Sequence, residues 1–188
     1  VISVGNLTVG GTGKTPFTIA LAYELKKIEC KPVILTRGYR GRLKGPVIVT
    51  EEMNADDVGD EPLMMAMDGF KVVKGADRYS SGIFAIEKIG FTDKDRVVFI
   101  VDDGFQHRKL YRDLNILLID GFKGFGNLRL IPIGTLRSPL SEVFEAHMVF
   151  ITKKQNETIY RSLNISGIKD VYFAPFKIKG IVRIDGRN

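Results

Sequence analysis

The chain has 188 residues, is 44% hydrophobic and 27% charged, and carries a formal charge of +6 with one cysteine, Cys30. That is enough apolar material for one compact domain, while the longest apolar runs, at residues 97–101 and 116–119, fall far short of the roughly 20 residues needed to cross a bilayer. A lone cysteine excludes an internal disulfide framework and a cysteine-based zinc site, and the positive balance favours an anionic partner, whether nucleotide, nucleic acid or anionic lipid.

Residues 1–4 read as a short apolar strand that delivers the chain into the glycine-rich loop VGNLTVGGTGKTP at 4–16. Beyond Lys14, the spacing of Phe17, Leu21, Leu25 and Ile28 predicts one face of a helix, with Pro16 in its first turn, where a missing N–H costs nothing. KPVILT at 31–36 reads as a second buried strand, followed by the basic, glycine-broken loop RGYRGRLKG. A small peripheral strand is expected at 47–50, a short helix at 60–67, a strand at 71–74 and a helix at 77–89 with Ile83, Phe84 and Ile86 facing inward. VVFIV at 97–101 is apolar on both faces, as a central parallel strand between helices should be, and residues 116–119 and 148–152 repeat that character. Ser138-Pro139 reads as the N-cap and first position of a helix over 140–145. The sum is an α/β fold with a doubly wound, mostly parallel sheet of P-loop NTPase type. A core domain is expected over 1–175, with 176–188 a linker or strand that starts a truncated C-terminal lobe. The chain begins without Met inside a strand, so further material is expected at both ends.

A strand, a loop ending in Gly-Lys-Thr and a helix form a phosphate cradle, in which backbone N–H groups and the helix dipole face the anion. Thr8, Val9, Gly10, Gly11, Thr12, Gly13, Lys14, Thr15 and Pro16 are the expected nucleotide-binding residues, although Thr8 stands where the generic pattern has glycine. Lys14 would reach the β- and γ-phosphates, and the Thr15 hydroxyl would sit on Mg²⁺. VVFIV then runs into Asp102-Asp103-Gly104-Phe105-Gln106-His107. Asp102 is placed to hold Mg²⁺, directly or through water, and Asp103 to touch a water or the acceptor. His107 is a candidate contact for phosphate or sugar, with a packing role equally open, whereas His147 reads as structural. Arg37, Arg78 and Arg137 are candidates for steadying phosphates, since guanidinium forks bind them bidentately. The basic loop, with Arg37, Arg40, Arg42 and Lys44 around Tyr39, suits a substrate phosphate or anionic headgroups. One aromatic in one loop is no stacking platform, which argues against nucleic acid.

Five ordered motifs, VGNLTVGGTGKTP, RGY, VGDEP, DDGFQH and IPIGTLRSP, together resemble the tetraacyldisaccharide 4′-kinase family of the lipid A pathway over residues 1 to about 152. The resemblance implies transfer of the ATP γ-phosphate to the 4′-hydroxyl of a tetraacyl disaccharide 1-phosphate at the cytoplasmic face of the inner membrane, giving lipid IVA. It implies ATP and Mg²⁺ as cofactors, an acylated disaccharide 1-phosphate and an anionic membrane surface as partners, no nucleic acid, and a monomer. It places the catalytic carboxylate at Asp60, with Glu61 supporting the metal or Asp60, and adds Gln106 to the substrate-binding set. Family members carry an N-terminal hydrophobic helix and a C-terminal α/β lobe, both absent or cut short here, and no histidine follows His147. Two other readings of the same core are a switch ATPase and a kinase of a small soluble acceptor. The first lacks the additional early lysine of its deviant P-loops, since this chain has Thr8-Val9-Gly10 there. Gln155 in Thr152-Lys153-Lys154-Gln155 also removes support for a guanine-reading motif.

Overall fold

The computed structural model describes residues 1–177. Its strands are β1 (Ile2–Gly5), β2 (Lys31–Thr36), β3 (Val47–Val49), β4 (Lys71–Lys74), β5 (Val97–Asp102), β6 (Leu114–Asp120), β7 (Met148–Thr152) and β8 (Val171–Ala174). They form one sheet in the order β3-β4-β2-β5-β1-β6-β7-β8, parallel throughout except for the antiparallel edge strand β3. Parallel neighbours need crossovers, and α1 (Lys14–Lys27), α3 (Asp60–Met67), α4 (Arg78–Ile89) and α5 (Glu157–Ile165) lie in those connections. A single turn of helix, α2 (Ala55–Val58), precedes α3.

Alternation along the strands sorts the core into two layers, because successive side chains point to opposite faces. Val4, Ile34, Ile100 and Leu118 pack on one face with Ala22 of α1 and Met65 of α3. Val33, Leu35 and Val101 meet Ala85 of α4 on the other, and farther along that face Leu117, Ile119 and Ile151 meet Leu163 of α5. Apolar residues on both faces of these strands are what a sheet covered by helices on both sides requires. β1 lies between β5 and β6, so the chain leaves it in one direction and later returns to its other side. That switch point opens a crevice at the carboxyl ends of β1 and β5.

Some expectations need correction. Ile83 and Ile86 of α4 are 42% and 53% exposed, and the buried positions are Arg78, Ser81 and Ala85. This helix sits close to the sheet, with Gly82 beside Leu35, so small residues take its inner face and Phe84 packs from the side. In α1 the innermost residues are Thr15, Thr18 and Ala22, while Phe17, Leu21 and Leu25 are half-buried along the flanks. Ile28 is the C-cap and is exposed. Residues 140–145 form a 3₁₀ turn capped by Pro139, and the Ser138 hydroxyl is buried with no partner among the described residues instead of capping it. The sequence reading assigned neither α5 nor β8. The segment expected to extend beyond residue 177 lies outside the described residues.

Candidate active site at the carboxyl edge of the sheet

The loop between β1 and α1 is held in shape from several sides. Gly13 caps α1 in the left-handed region, at φ 86°, where side chains other than glycine's are strained, and the ring of Phe176 occupies the space its Cβ would need. The Val9 N–H donates to Thr135 O at 2.8 Å, and the Arg137 N–H donates to Leu7 O at 2.7 Å, so the stretch before the 3₁₀ turn clasps the loop. From β7, the Thr152 hydroxyl donates to Thr12 O at 2.7 Å. Gly10 and Gly11 face open space. The Thr12 hydroxyl is buried with no hydrogen-bond partner among the described residues.

Two adjacent acids end β5 in opposite electrostatic states. Asp102 is 3% exposed and accepts hydrogen bonds from the Thr18 and Thr36 hydroxyls, each at 3.4 Å. Burial, reinforced by the charges of Glu61 and Asp103, pushes its carboxyl up to about 6 against the pull of Lys14 and Arg78. Asp103 turns into the left-handed region at φ 51°, a conformation that among residues other than glycine is adopted mainly by asparagine and aspartate. Its burial alone would raise the carboxyl. The Arg137 fork, at 2.7 and 3.1 Å, and Lys14, at 3.6 Å, outweigh that and hold it below the usual carboxylate range.

Asn6 ties this cluster together. It is fully buried, and its Oδ1 accepts from Lys14 Nζ at 3.3 Å and from Arg137 at 3.2 Å. Its amide donates to Thr8 O at 2.6 Å, and its carbonyl accepts from Gln106 Nε2 at 2.8 Å. Lys14 and Arg137 thus converge on the buried Asn6 carboxamide and, on their other side, on Asp103, while Gln106 ties the Asn6 backbone to the turn after β5.

The other predicted residues divide. Arg78 is buried and donates to the carbonyls of Gly75, Ala76 and Asp102, so its fork braces the end of β5 from behind. Its guanidinium is depressed by burial, with Asp102 and Asp103 opposing and Arg37 close enough to add to the depression. His107 accepts the Arg78 backbone N–H on Nε2 at 3.2 Å, and burial together with Arg78 keeps it below the ordinary histidine range. That nitrogen is therefore committed to the start of α4. Asp60 is the first residue of α3 and is exposed, and its carboxylate makes no hydrogen bond or ion pair among the described residues; Gly59 is the N-cap, which leaves the carboxylate free of that duty. Glu61 is exposed, yet near enough to act on Asp102. Arg37 and Tyr39 are exposed on the loop after β2, whereas Arg42 pairs with Asp57 at 3.3 Å. His147 accepts the Asn115 backbone N–H at 3.0 Å, as a structural histidine would.

These residues fit a triphosphate and its magnesium. Among the described residues, the loop offers open glycines, an unpartnered hydroxyl at Thr12 and a lysine held by contacts of 3.3 and 3.6 Å. No three His, Cys, Asp or Glu side chains converge as a ready cation cage among the described residues. Mg²⁺ bound through phosphates needs no such cage, because one carboxylate, a hydroxyl and water complete its shell.

A family model described as tetraacyldisaccharide-1-P 4′-kinase, LpxK, matches residues 1–180. The chain belongs to this kinase family. Among curated relatives, the tetraacyldisaccharide 4′-kinase of Geobacter sulfurreducens is 44% identical over 160 residues, covering 81% of this chain and 44% of that protein. The one from Aquifex aeolicus is 47% identical over 163 residues, covering 84% and 49%. A crystal structure of Aquifex aeolicus LpxK in complex with ATP superposes with a TM-score of 0.69 at 32% identity, covering 99% of this chain and 75% of that one. The chain spans about half the length of the curated relatives it matches.

Within this LpxK-type core, four polar residues escaped the sequence reading. Asn6 follows β1 directly, Thr18 lies one turn beyond Thr15 on the buried face of α1, and Thr36 and Thr152 end strands. Position at a strand end, or on a face shared with a known ligand residue, was the available signal.

Proposed function

We propose that this chain is the catalytic core of a kinase that transfers the γ-phosphate of ATP to the 4′-hydroxyl of tetraacyldisaccharide 1-phosphate, forming lipid IVA. The observation that carries the reading is that Lys14 and Arg137 each reach both Asn6 and Asp103 at the mouth of the phosphate loop, beside the buried Asp102. Thr8 to Pro16 wrap the phosphates, with the backbone N–H groups between Gly10 and Thr15 facing them, and Lys14 and Arg137 oppose the charge spread over the transferred group. Thr15 and Asp102, with Glu61 in support, would hold Mg²⁺, which neutralises phosphate charge when bound. Asp60 accepts the proton of the 4′-hydroxyl as its oxygen bonds to the γ-phosphorus and the bond to the β,γ-bridging oxygen breaks, releasing ADP. Asp103 holds Arg137 and Lys14 in place and reaches the acceptor side through that network. Arg37, Tyr39, Arg78, Gln106 and His107 line or brace the acceptor region.

We further assign residues 1–175 to this core, 176–188 to the connection with a C-terminal lobe, and a monomer to the active species. An acylated substrate and a surplus of cations suit peripheral work at the cytoplasmic face of the inner membrane. Among the described residues no helix is long and apolar enough to cross a membrane. The test is transfer of labelled phosphate from Mg·ATP to tetraacyldisaccharide 1-phosphate in detergent micelles. Labelled lipid lost in both Asp60→Ala and Lys14→Ala supports the assignment; ATP turnover without labelled lipid from the intact protein overturns it in favour of a switch ATPase.

A further inference from the structure

Lys74 ends β4 beneath the loop that carries Arg37 and Tyr39, has no role assigned above, and is among the largest fully buried side chains of the protein at 1% exposure. Lysine is almost never buried so completely without a partner, because an ammonium loses its hydration there. Burial holds this ammonium below the ordinary lysine range, opposed by the charge of Asp57. Its surroundings account for the choice of residue. Its carbon stem fills the space a Cβ on Gly38 would need, and its ammonium lies where a Cβ on Gly41 would stand. Nζ then donates to Asp57 O at 2.9 Å, at the end of α2. The same carbonyl accepts the Leu43 N–H at 2.9 Å, and Asp56 O accepts the Arg42 N–H at 2.9 Å. Two residues on, Gly59 adopts φ 97°, and a Cβ there would meet Tyr39 O at 2.8 Å. Asp60 follows at once.

We propose that Lys74 is a positioning residue that locks the basic loop at 37–43 to the corner carrying Asp60, so that the acceptor-contacting side chains and the base keep one register. The proposal rests on the reading of Asp60 as the base and deepens it. The loop is built around the lysine: two of its glycines make room for the stem and the amine, and the amine reaches through to the far backbone. Above the joint, Arg37, Arg40 and Lys44 line a cavity of about 390 Å³ together with Lys74, so the loop's cations surround a concave surface. A shift of the joint would move these cations and Asp60 relative to one another while leaving the phosphate loop, which is clasped from the opposite side, where it is.

The test compares the full-length kinase with Lys74→Met, which keeps the stem and removes the donor, and Gly41→Ala, which keeps the amine but drives a Cβ against it and against the Asp57–Val58 backbone it reaches. Both should lower kcat about tenfold or more and raise the lipid KM several-fold, with the KM for ATP within about twofold of the unsubstituted enzyme, since a displacement of order 1 Å at a reacting centre costs up to about 10²-fold. Hydrogen–deuterium exchange on the same proteins should quicken at 42–43 and 59–63 and stay unchanged in α1. Lipid kinetics within twofold of the unsubstituted enzyme, or exchange unaltered in both segments, would overturn the proposal, as would an ATP KM that rises in step with the lipid KM. Should Lys74→Met not fold, Gly41→Ala carries both readouts. If the unsubstituted enzyme phosphorylates no lipid, the functional reading fails by itself, and the exchange pattern alone then decides the joint.

Discussion

The two walls of the site are secured in different ways. On the phosphate side, Thr152 from β7 and Thr135 and Arg137 from the clasping stretch bond the loop backbone, and the fully buried Asn6 braces it from within. On the acceptor side, the loop after β2 meets α2 through two backbone bonds, one buried amine and the Arg42 ion pair, and its outer residues stand in solvent. A wall fixed by many partners suits a ligand whose phosphates are the same in every cycle. A wall fixed through one joint suits the acceptor proposed above, whose acyl chains must enter and leave. The difference teaches where losses should fall: damage to the first wall should appear in nucleotide binding, and damage to the second in lipid turnover alone.

The largest test of that division is Asp60→Ala. Lipid phosphorylation should fall about 10²- to 10⁴-fold, the range for loss of a positioned base, while ATP affinity measured by calorimetry stays near that of the unsubstituted enzyme. A matching loss of ATP affinity would merge the two walls. Lys14→Ala should cost about 10²- to 10³-fold in kcat, as removal of a donor to developing charge does, and here nucleotide binding should weaken as well. Arg137→Lys should cost less, on the order of tenfold in kcat, because a single ammonium cannot reproduce the fork that Asp103 accepts at 2.7 and 3.1 Å.

A separate effect, outside catalysis, is on stability. With Asp102 pushed up to about 6 in the folded chain and near 3.9 when unfolded, its contribution is fully present below about pH 4 and is lost as pH rises through 6. The ionised, buried carboxylate then costs roughly 3 kcal/mol, to the order of magnitude. Asp102→Asn should therefore raise Tm at pH 8 and leave it unchanged near pH 4 in nucleotide-free melts, and should also reduce the stabilisation that Mg·ATP confers. Equal Tm differences at both pH values would overturn the assignment of the cost to this group.

Much of this was legible beforehand, for physical reasons. Strong apolar runs marked β2, β5, β6 and β7, and helix α3 and strand β4 fall on their expected residues, 60–67 and 71–74. The phosphate loop announced itself because glycines, lysine and threonine must stand together there. Ile83 and Ile86 misled because hydrophobicity suggests an inner face, whereas the helix approaches β2 so closely that serine and alanine take it. Asn6 and Lys74 were hidden for a related reason. Polar types are expected at the surface, and only tertiary contacts reveal that one is a hub and the other a strut. For Asp60, the family motif rather than any local pattern pointed to the role, and no contact within the described residues assigns it.

The ring of Phe176 against Gly13 has a practical consequence. The chain contains no tryptophan, so its native emission comes from tyrosine. An indole introduced by Phe176→Trp would be the only red-shifted emitter in this chain, seated on the last glycine before Lys14. Arrival and departure of nucleotide would then be followed in real time by stopped-flow fluorescence, with no labelled substrate.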